Sequence, residues 1–204
     1  MNIVITGASK GFGKEIAEAF AGDKQGHTLF LCARNAGRLE NTAKNMQARY
    51  QRSLIHTMAC DVGNKKEVLA FTNWIKEHTD TIDILVNNAG IFLPGAVHEE
   101  EEGGLEEMLR VNLMGAYHLS RFLIPIMKKN NQGHIINMCS IASLKAYANG
   151  GSYSISKFAL AGFTKNLREE LKPYNIKVTG IYPGAAYTDS WASSGLPRER
   201  FMEA

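Results

Sequence analysis

The sequence predicts an α/β fold: a doubly wound parallel sheet with helices on both faces, three layers deep, in a single domain over residues 1–204. Three observations predict it. Strand and helix signals alternate without a break from residue 2 to residue 182, as they do when parallel strands are joined by right-handed crossovers. Residues 82–86 are apolar toward both faces, the mark of a strand covered by helices on each side. A glycine-rich turn follows the first strand and opens directly into a helix.

The elements read as follows. Residues 2–6 are a short apolar run, a buried strand. Residues 14–22 place Ile16, Ala17, Ala19 and Phe20 on one helical face. Residues 27–33 form a second strand, and residues 36–50 a polar helix with Asn35 as its N-cap. A strand at 54–58 precedes a helix at 65–78 whose apolar face carries Val68, Leu69, Phe71, Trp74 and Ile75. After the strand at 82–86, residues 90–104 read as a loop with an acidic run at 99–102, a solvated stretch or a helix start. A long helix at 105–129 contains Pro125, which is expected to kink it or end its regular part. Strand 134–138, loop 139–151, helix 153–172 closed by Pro173, and strand 177–182 complete the series.

Composition narrows the function classes. With 45% hydrophobic and 21% charged residues, the chain has the mix of a soluble globular protein. The net charge is +3 with basic residues scattered, so nucleic acid is not an expected partner. Residues 1–204 contain no secretory leader and no apolar run of membrane-spanning length, so no membrane partner is expected. Cys32, Cys60 and Cys139 lie at strand ends without metal-ligand spacing and read as small buried thiols, which fits a reducing cytoplasm. The six histidines are dispersed, without a His-Glu-x-x-His, and read as surface or capping residues; no metal is expected. There is no Gly-x-Ser-x-Gly elbow of a hydrolase.

The turn after the first strand is Thr6-Gly7-Ala8-Ser9-Lys10-Gly11-Phe12-Gly13. Its glycines allow a sharp turn and close approach to a pyrophosphate, and the following helix N-terminus offers free N–H groups. The spacing Gly-x-x-x-Gly-x-Gly resembles that of the short-chain dehydrogenase/reductase family, over roughly residues 1–190. The resemblance implies a Rossmann-like domain, with Gly7, Ser9, Lys10, Gly11, Phe12 and Gly13 around the cofactor phosphates. Asp61-Val62, after the third strand, matches the family's adenine position. Asn87-Asn88-Ala89-Gly90 matches the segment that floors its cofactor site.

The second strand ends Leu31-Cys32-Ala33-Arg34, with Ala33 where a ribose-binding acid would stand in an NAD-preferring site. Arg34 and Lys10 suit a 2′-phosphate, and in this family the pair goes with NADP preference. The expected cofactor is therefore NADP(H).

Tyr153-x-x-x-Lys157 places two side chains one turn apart on a helix. Ser140 stands thirteen residues before Tyr153, the family's interval, and Asn112 matches its fourth catalytic residue. In the expected reaction Tyr153 donates a proton to the carbonyl oxygen as hydride reaches the carbon. Ser140 fixes that oxygen, Lys157 together with the positive nicotinamide ring of the oxidised cofactor lowers the tyrosine pKa, and Lys157 also holds the nicotinamide ribose. Asn112, by resemblance, holds a water that resupplies the proton. Pro183-Gly184, with Thr188, resembles the segment that meets the nicotinamide carboxamide.

Candidate substrate walls are Phe92, Leu93, Pro94, Ser143, Leu144, Tyr147, Tyr187 and Trp191. They face an unidentified small carbonyl compound. Residues 189–204 read as the start of a substrate lobe, and the family's usual last strand is absent from residues 1–204 and is expected beyond them. A homodimer or homotetramer built on the two long helices is expected by resemblance. A non-catalytic NADP(H) sensor on the same fold is the second reading; the intact Ser140, Tyr153 and Lys157 set favours the enzyme.

Overall fold

The computed structural model of the chain describes residues 1–184. All the predicted strands are present: β1 (Asn2–Thr6), β2 (Thr28–Ala33), β3 (Leu54–Ala59), β4 (Ile84–Asn87), β5 (Gly133–Met138) and β6 (Ile176–Ile181). They form one sheet in the order β3-β2-β1-β4-β5-β6, with every neighbouring pair parallel. The chain winds outward from β1 to β3 and then returns to β4 beside β1. The loops that follow β1 and β4 part at this point, which leaves a crevice above the carboxyl ends of the two strands.

The helices are α1 (Gly11–Ala21), α2 (Ala36–Arg49), α3 (Lys65–His78), α4 (Gly104–Leu109), α5 (Gly115–Lys129) and α6 (Gly151–Leu171). Successive residues of a strand face opposite sides, and β1 uses both. Ile3 and Ile5 join Ala17 and Ala21 of α1 and Leu39 and Met46 of α2 on one face. Val4 joins Phe71 and Ile75 of α3, Leu119 and Leu123 of α5 and Leu167 of α6 on the other. The resulting two-sided burial is why the central strands carry so little polar alternation. Asn35 caps α2 as predicted, its side chain accepting from the Arg38 N–H at 2.8 Å. Among the described residues no helix is long and apolar enough to cross a membrane.

Three expectations need correction, and a fourth, for Pro125, is narrowed. The helix read at 105–129 is divided by a π turn, Arg110–Met114, between α4 and α5; such turns accommodate an extra residue and often mark functional positions. Pro125 does not end α5, which runs on to Lys129; the buried stripe Leu119, Leu123 and Met127 on either side of Pro125 is anchored in the core. His27 is buried, at 4% exposure, not a surface histidine. Within the acidic run, Glu100 is half-buried and accepts from the backbone N–H of Ser152 at 2.7 Å, so it is tied to α6 rather than solvated. The three cysteines are free and buried.

Candidate active site

The phosphate-loop sequence makes a backbone cradle. Gly7 and Gly11 adopt φ of +67° and +53°, a region that side-chain-bearing residues avoid. Gly13 is required for a different reason: a Cβ there would stand 2.3 Å from the Gly7 carbonyl oxygen and 2.4 Å from Asn88 Nδ2. Lys10, in extended conformation, enters α1 without a side-chain cap, and the first turn carries no acid. The N–H groups of that turn are therefore available to an anion. Thr42 Oγ1 donates to the Ser9 carbonyl at 3.3 Å and ties the cradle to α2.

Asn88 closes the crevice floor. Its Nδ2 donates to the Thr6 carbonyl at 2.9 Å, and Thr6 Oγ1 accepts from the N–H groups of Asn88 and Ala89 at 3.0 and 2.9 Å. The ends of β1 and β4 are thus locked together beneath a cavity of about 610 Å³. One end of the cavity is lined by Lys10, Arg34 and Arg38, the middle by Asp61, Val62 and Ala89, the far end by Ser140, Tyr153 and Lys157. Pro183 and Gly184 also line it.

Asp61 accepts from Arg110 Nη1 at 2.9 Å and from the Gly63 N–H at 3.0 Å. Burial pushes its carboxyl up, but the hydrogen bonds from Arg110 and Gly63 and the charges of Arg110 and Arg34 prevail and hold it below its ordinary value. Arg110 also forks onto Glu107, Nε and Nη2 at 2.6 and 2.8 Å. A carboxylate has about four acceptor positions, so two on Asp61 stay free for a ligand.

At the far end, Ser140 stands two residues after β5 and caps the start of a 3-10 turn, Ile141–Ser143. Its Oγ accepts from the Ala142 N–H at 3.2 Å, and its own N–H donates to Ser143 Oγ at 3.1 Å. The serine is therefore held from both sides, and it hydrogen-bonds the Tyr153 phenol. Phe92 packs edge-on against the Tyr153 ring, with centroids 4.7 Å apart and planes at 76°. Lys157 is 5% exposed and donates to the Met138 carbonyl at 2.8 Å. Its Nζ lies 5.8 Å from the centre of the Tyr153 ring.

Burial lowers the Lys157 pKa to about 8, opposed by the nearby Cys139. Burial raises that of Tyr153; the Ser140 hydrogen bond works against the rise and Cys139 adds to it. In the ligand-free chain burial therefore sets the direction for Tyr153, whereas the expectation for Lys157 concerns the site with oxidised cofactor bound.

Asn112 lies in the π turn, 1% exposed. Its Oδ1 accepts from the Ile91 N–H at 2.8 Å, and its Nδ2 donates to the Ile91 carbonyl at 3.0 Å and to Ser156 Oγ at 2.9 Å. Gly90 passes close by: a Cβ there would stand 3.1 Å from Asn112 Oδ1 and 3.6 Å from Lys157 Nζ.

A family model described as short chain dehydrogenase matches residues 1–198. The chain belongs to the short-chain dehydrogenase family. It is similar to sepiapterin reductase of Chlorobaculum tepidum, 33% identical over an alignment 194 residues long that covers 93% of this chain and 79% of that protein. It is also similar to the structure of L-sorbose reductase from Gluconobacter frateurii complexed with NADPH and L-sorbose, at TM-score 0.88 and 32% identity over 94% of this chain and 72% of that one. A short-chain dehydrogenase/reductase from Burkholderia phymatum in complex with NAD superposes at TM-score 0.86 and 29% identity, covering 97% of this chain and 70% of that one.

As a short-chain dehydrogenase, the chain brings most of its predicted site residues to one cavity. Gly7, Ser9, Lys10, Gly11, Phe12, Arg34, Asp61, Val62, Asn88, Ala89, Ser140, Tyr147, Tyr153, Lys157, Pro183 and Gly184 all line it. Gly13 and Asn112 stand behind the wall and shape it. Four substrate-wall candidates do not line the cavity: Ser143, Leu93, Pro94 and Leu144, the last at 55% exposure. Ser143 is buried at 3% exposure beneath Ser140, because its hydroxyl caps the 3-10 turn. Leu93 is 45% exposed, and Phe92 lines the cavity in its stead. Tyr187, Thr188 and Trp191 lie outside the described residues.

Sequence reading missed Arg38 and Arg110. Arg38 stands in the first turn of α2, four residues after Arg34, and that nearness in sequence was the available signal. Arg110 had none, since its partner Asp61 is distant in sequence. Among the described residues no group of His, Cys, Asp or Glu is placed to hold a metal ion.

Proposed function

We propose that this short-chain dehydrogenase is an NADPH-preferring reductase that converts a carbonyl compound to an alcohol. The observation that carries the reading is the polarity of the cavity: Lys10, Arg34 and Arg38 at one end, the Ser140 and Tyr153 hydroxyls with Lys157 at the other. Family membership alone does not choose the nucleotide, since one neighbour holds NAD and another NADPH. The corner at the end of β2 decides it, with Ala33 in place of an acid and three cations around it. A carboxylate there would accept from a ribose hydroxyl, and cations attract a 2′-phosphate instead.

The residues present fit a dinucleotide. The cradle of Gly7, Gly11 and Gly13 takes the pyrophosphate, Asp61 and Val62 the adenine, Lys157 the nicotinamide ribose, and Pro183 and Gly184, with Thr188, the carboxamide. NADPH, when bound, supplies the hydride. Tyr153 donates the proton to the carbonyl oxygen; its raised pKa keeps the phenol protonated near neutrality. Ser140, held by Ser143 and Ala142, donates to the same oxygen without having to reorient. Asn112 holds the Ile91 segment of the wall against α6 and serves the proton supply to Lys157 across Gly90. Phe92 and Tyr147, with Tyr187 and Trp191, form the apolar wall of the substrate side.

We take residues 189–204 as the start of the substrate lobe. Exposed Met114, Ile155 and Phe158 support assembly as a homodimer or homotetramer through α5 and α6, and the buried free thiols fit a cytoplasmic location. Tyr153→Phe tests the reaction: it should bind NADPH normally and lose turnover of a carbonyl panel by about a thousandfold or more, the scale of general acid loss combined with lost orientation. Near-normal turnover would reject the role.

A further inference from the structure

The first four N–H groups of any α-helix lack intrahelical partners. In α6, which carries Tyr153 in its first turn, the chain supplies no local remedy. Gly150 at the N-cap has no side chain to offer, and the first turn contains no acid. The partner comes instead from the loop after β4. Glu100 accepts from the Ser152 N–H at 2.7 Å through Oε1 and from the Ser152 hydroxyl through Oε2. Ser152 is 2% exposed, so both its donors meet the same carboxylate inside the protein.

The crossing is tight. Gly151 adopts φ +33°, and a Cβ there would stand 2.0 Å from Glu100 Oε1 and 2.4 Å from the Gly95 carbonyl oxygen. A second link, Gly95 N–H to the Asn149 carbonyl at 3.2 Å, lies beside it. The same loop carries Phe92, whose ring meets Tyr153. The 90–104 loop therefore grips the catalytic helix next to the tyrosine, and its carboxylate faces the positive end of the helix dipole.

We propose that Glu100 is a positioning residue for Tyr153. By clamping Ser152 it fixes the first turn of α6 and the loop bearing Phe92 as one unit, so that the phenol and the substrate wall keep a constant separation. This rests on Tyr153 being the proton donor. Glu100 touches no reacting atom and leaves the phosphate cradle at the other end of the cavity untouched.

The experiment compares Glu100→Ala, Glu100→Gln and Tyr153→Phe, with diacetyl, a small activated diketone, as the probe substrate. Each protein is measured for NADPH Kd, kcat, KM, the solvent deuterium isotope effect on kcat and amide exchange at Ser152. Glu100→Ala should lower kcat about ten- to a hundredfold, raise the solvent isotope effect and speed exchange at Ser152, while NADPH Kd stays within about threefold. Glu100→Gln keeps an acceptor for the Ser152 N–H and should recover kcat to within about fivefold of the parent.

A merely structural role would lower the amount of active protein without changing the isotope effect, and that result overturns the assignment. So does unchanged kcat in Glu100→Ala beside an inactive Tyr153→Phe, and so does a loss of NADPH binding equal to the loss of turnover. If Glu100→Ala does not fold, Ser152→Ala, which removes the hydroxyl that meets Oε2, takes its place: an unchanged isotope effect and unchanged amide exchange at position 152 reject the clamp, and a raised isotope effect with faster exchange upholds it. An active Tyr153→Phe rejects the proton donor itself, and the positioning role with it.

Discussion

The Lys157 ammonium donates to the Met138 carbonyl oxygen at 2.8 Å, from a side chain that is 5% exposed. A single neutral acceptor does not replace the hydration of a cation, and burial brings the pKa from an ordinary lysine value of 10.5 to about 8. Below pH 8 the lysine is protonated both folded and unfolded, and the cost of burying the charge is fully present. Between about 8 and 10.5 the folded protein releases the proton first, so stability rises with pH across this window. At about 1.36 kcal/mol per pH unit the full cost is on the order of 3 kcal/mol. Lys157→Met should therefore stabilise the ligand-free protein at pH 7 by about 1–3 kcal/mol and abolish turnover. Urea denaturation at pH 7 and pH 10 checks it; the gain should shrink at the higher pH.

The cation corner predicts a cofactor switch. Arg34→Ala should weaken NADPH about ten- to thirtyfold, the loss of one charge-assisted contact, and leave NADH within twofold. Arg38→Ala should do the same to a smaller degree, because Arg38 reaches the corner from the first turn of α2. Parallel titrations with both nucleotides measure the ratio, and an unchanged ratio in Arg34→Ala would remove it from the clamp.

Gly13 predicts a steric failure. Its added Cβ would meet backbone, the Gly7 carbonyl oxygen at 2.3 Å, which cannot step aside as a flexible side chain would. Gly13→Ala should lose about 1–3 kcal/mol of stability, the usual cost of overpacking, and bind NADPH at least tenfold more weakly. A denaturation curve and a nucleotide titration would show both; a variant with normal affinity would mean that the cradle is not the phosphate site.

Phe158 predicts an assembly. It is 45% exposed on α6, beside Ile155 at 43%, and a carboxylate placed in an apolar interface loses its hydration without a partner. Phe158→Glu should yield monomers where the parent chain is a dimer or tetramer by light scattering. A monomeric parent would rule the assembly out.

The order of elements and the polarity of the cavity were legible in the sequence because they follow from local pattern: apolar runs, glycine spacing, a tyrosine and a lysine one turn apart. Features that join distant segments were not legible. Nothing local announces that Arg110 pairs with Asp61, that Ser143 turns inward to cap Ser140, or that one acid of a charged run spans from residue 100 to residue 152. The π turn was hidden for a related reason. Its residues have ordinary helical composition, and the extra residue is accommodated by tertiary contacts of Asn112 with Ile91 and Ser156. The direction of the Tyr153 pKa needed three dimensions as well, since it depends on how deeply the phenol is buried.

That π turn also limits how the chain can vary. Arg110 and Asn112 are two positions apart, so they leave the helix on nearly opposite sides; one reaches Asp61 and the other Ile91 and Ser156. Exchanging Val111 between them for another apolar residue keeps both arms aimed. Inserting or deleting one residue would swing one arm off its target by about 100° and detach either the middle of the cavity or its wall. Over these three positions the spacing of the residues matters as much as the identity of the side chains.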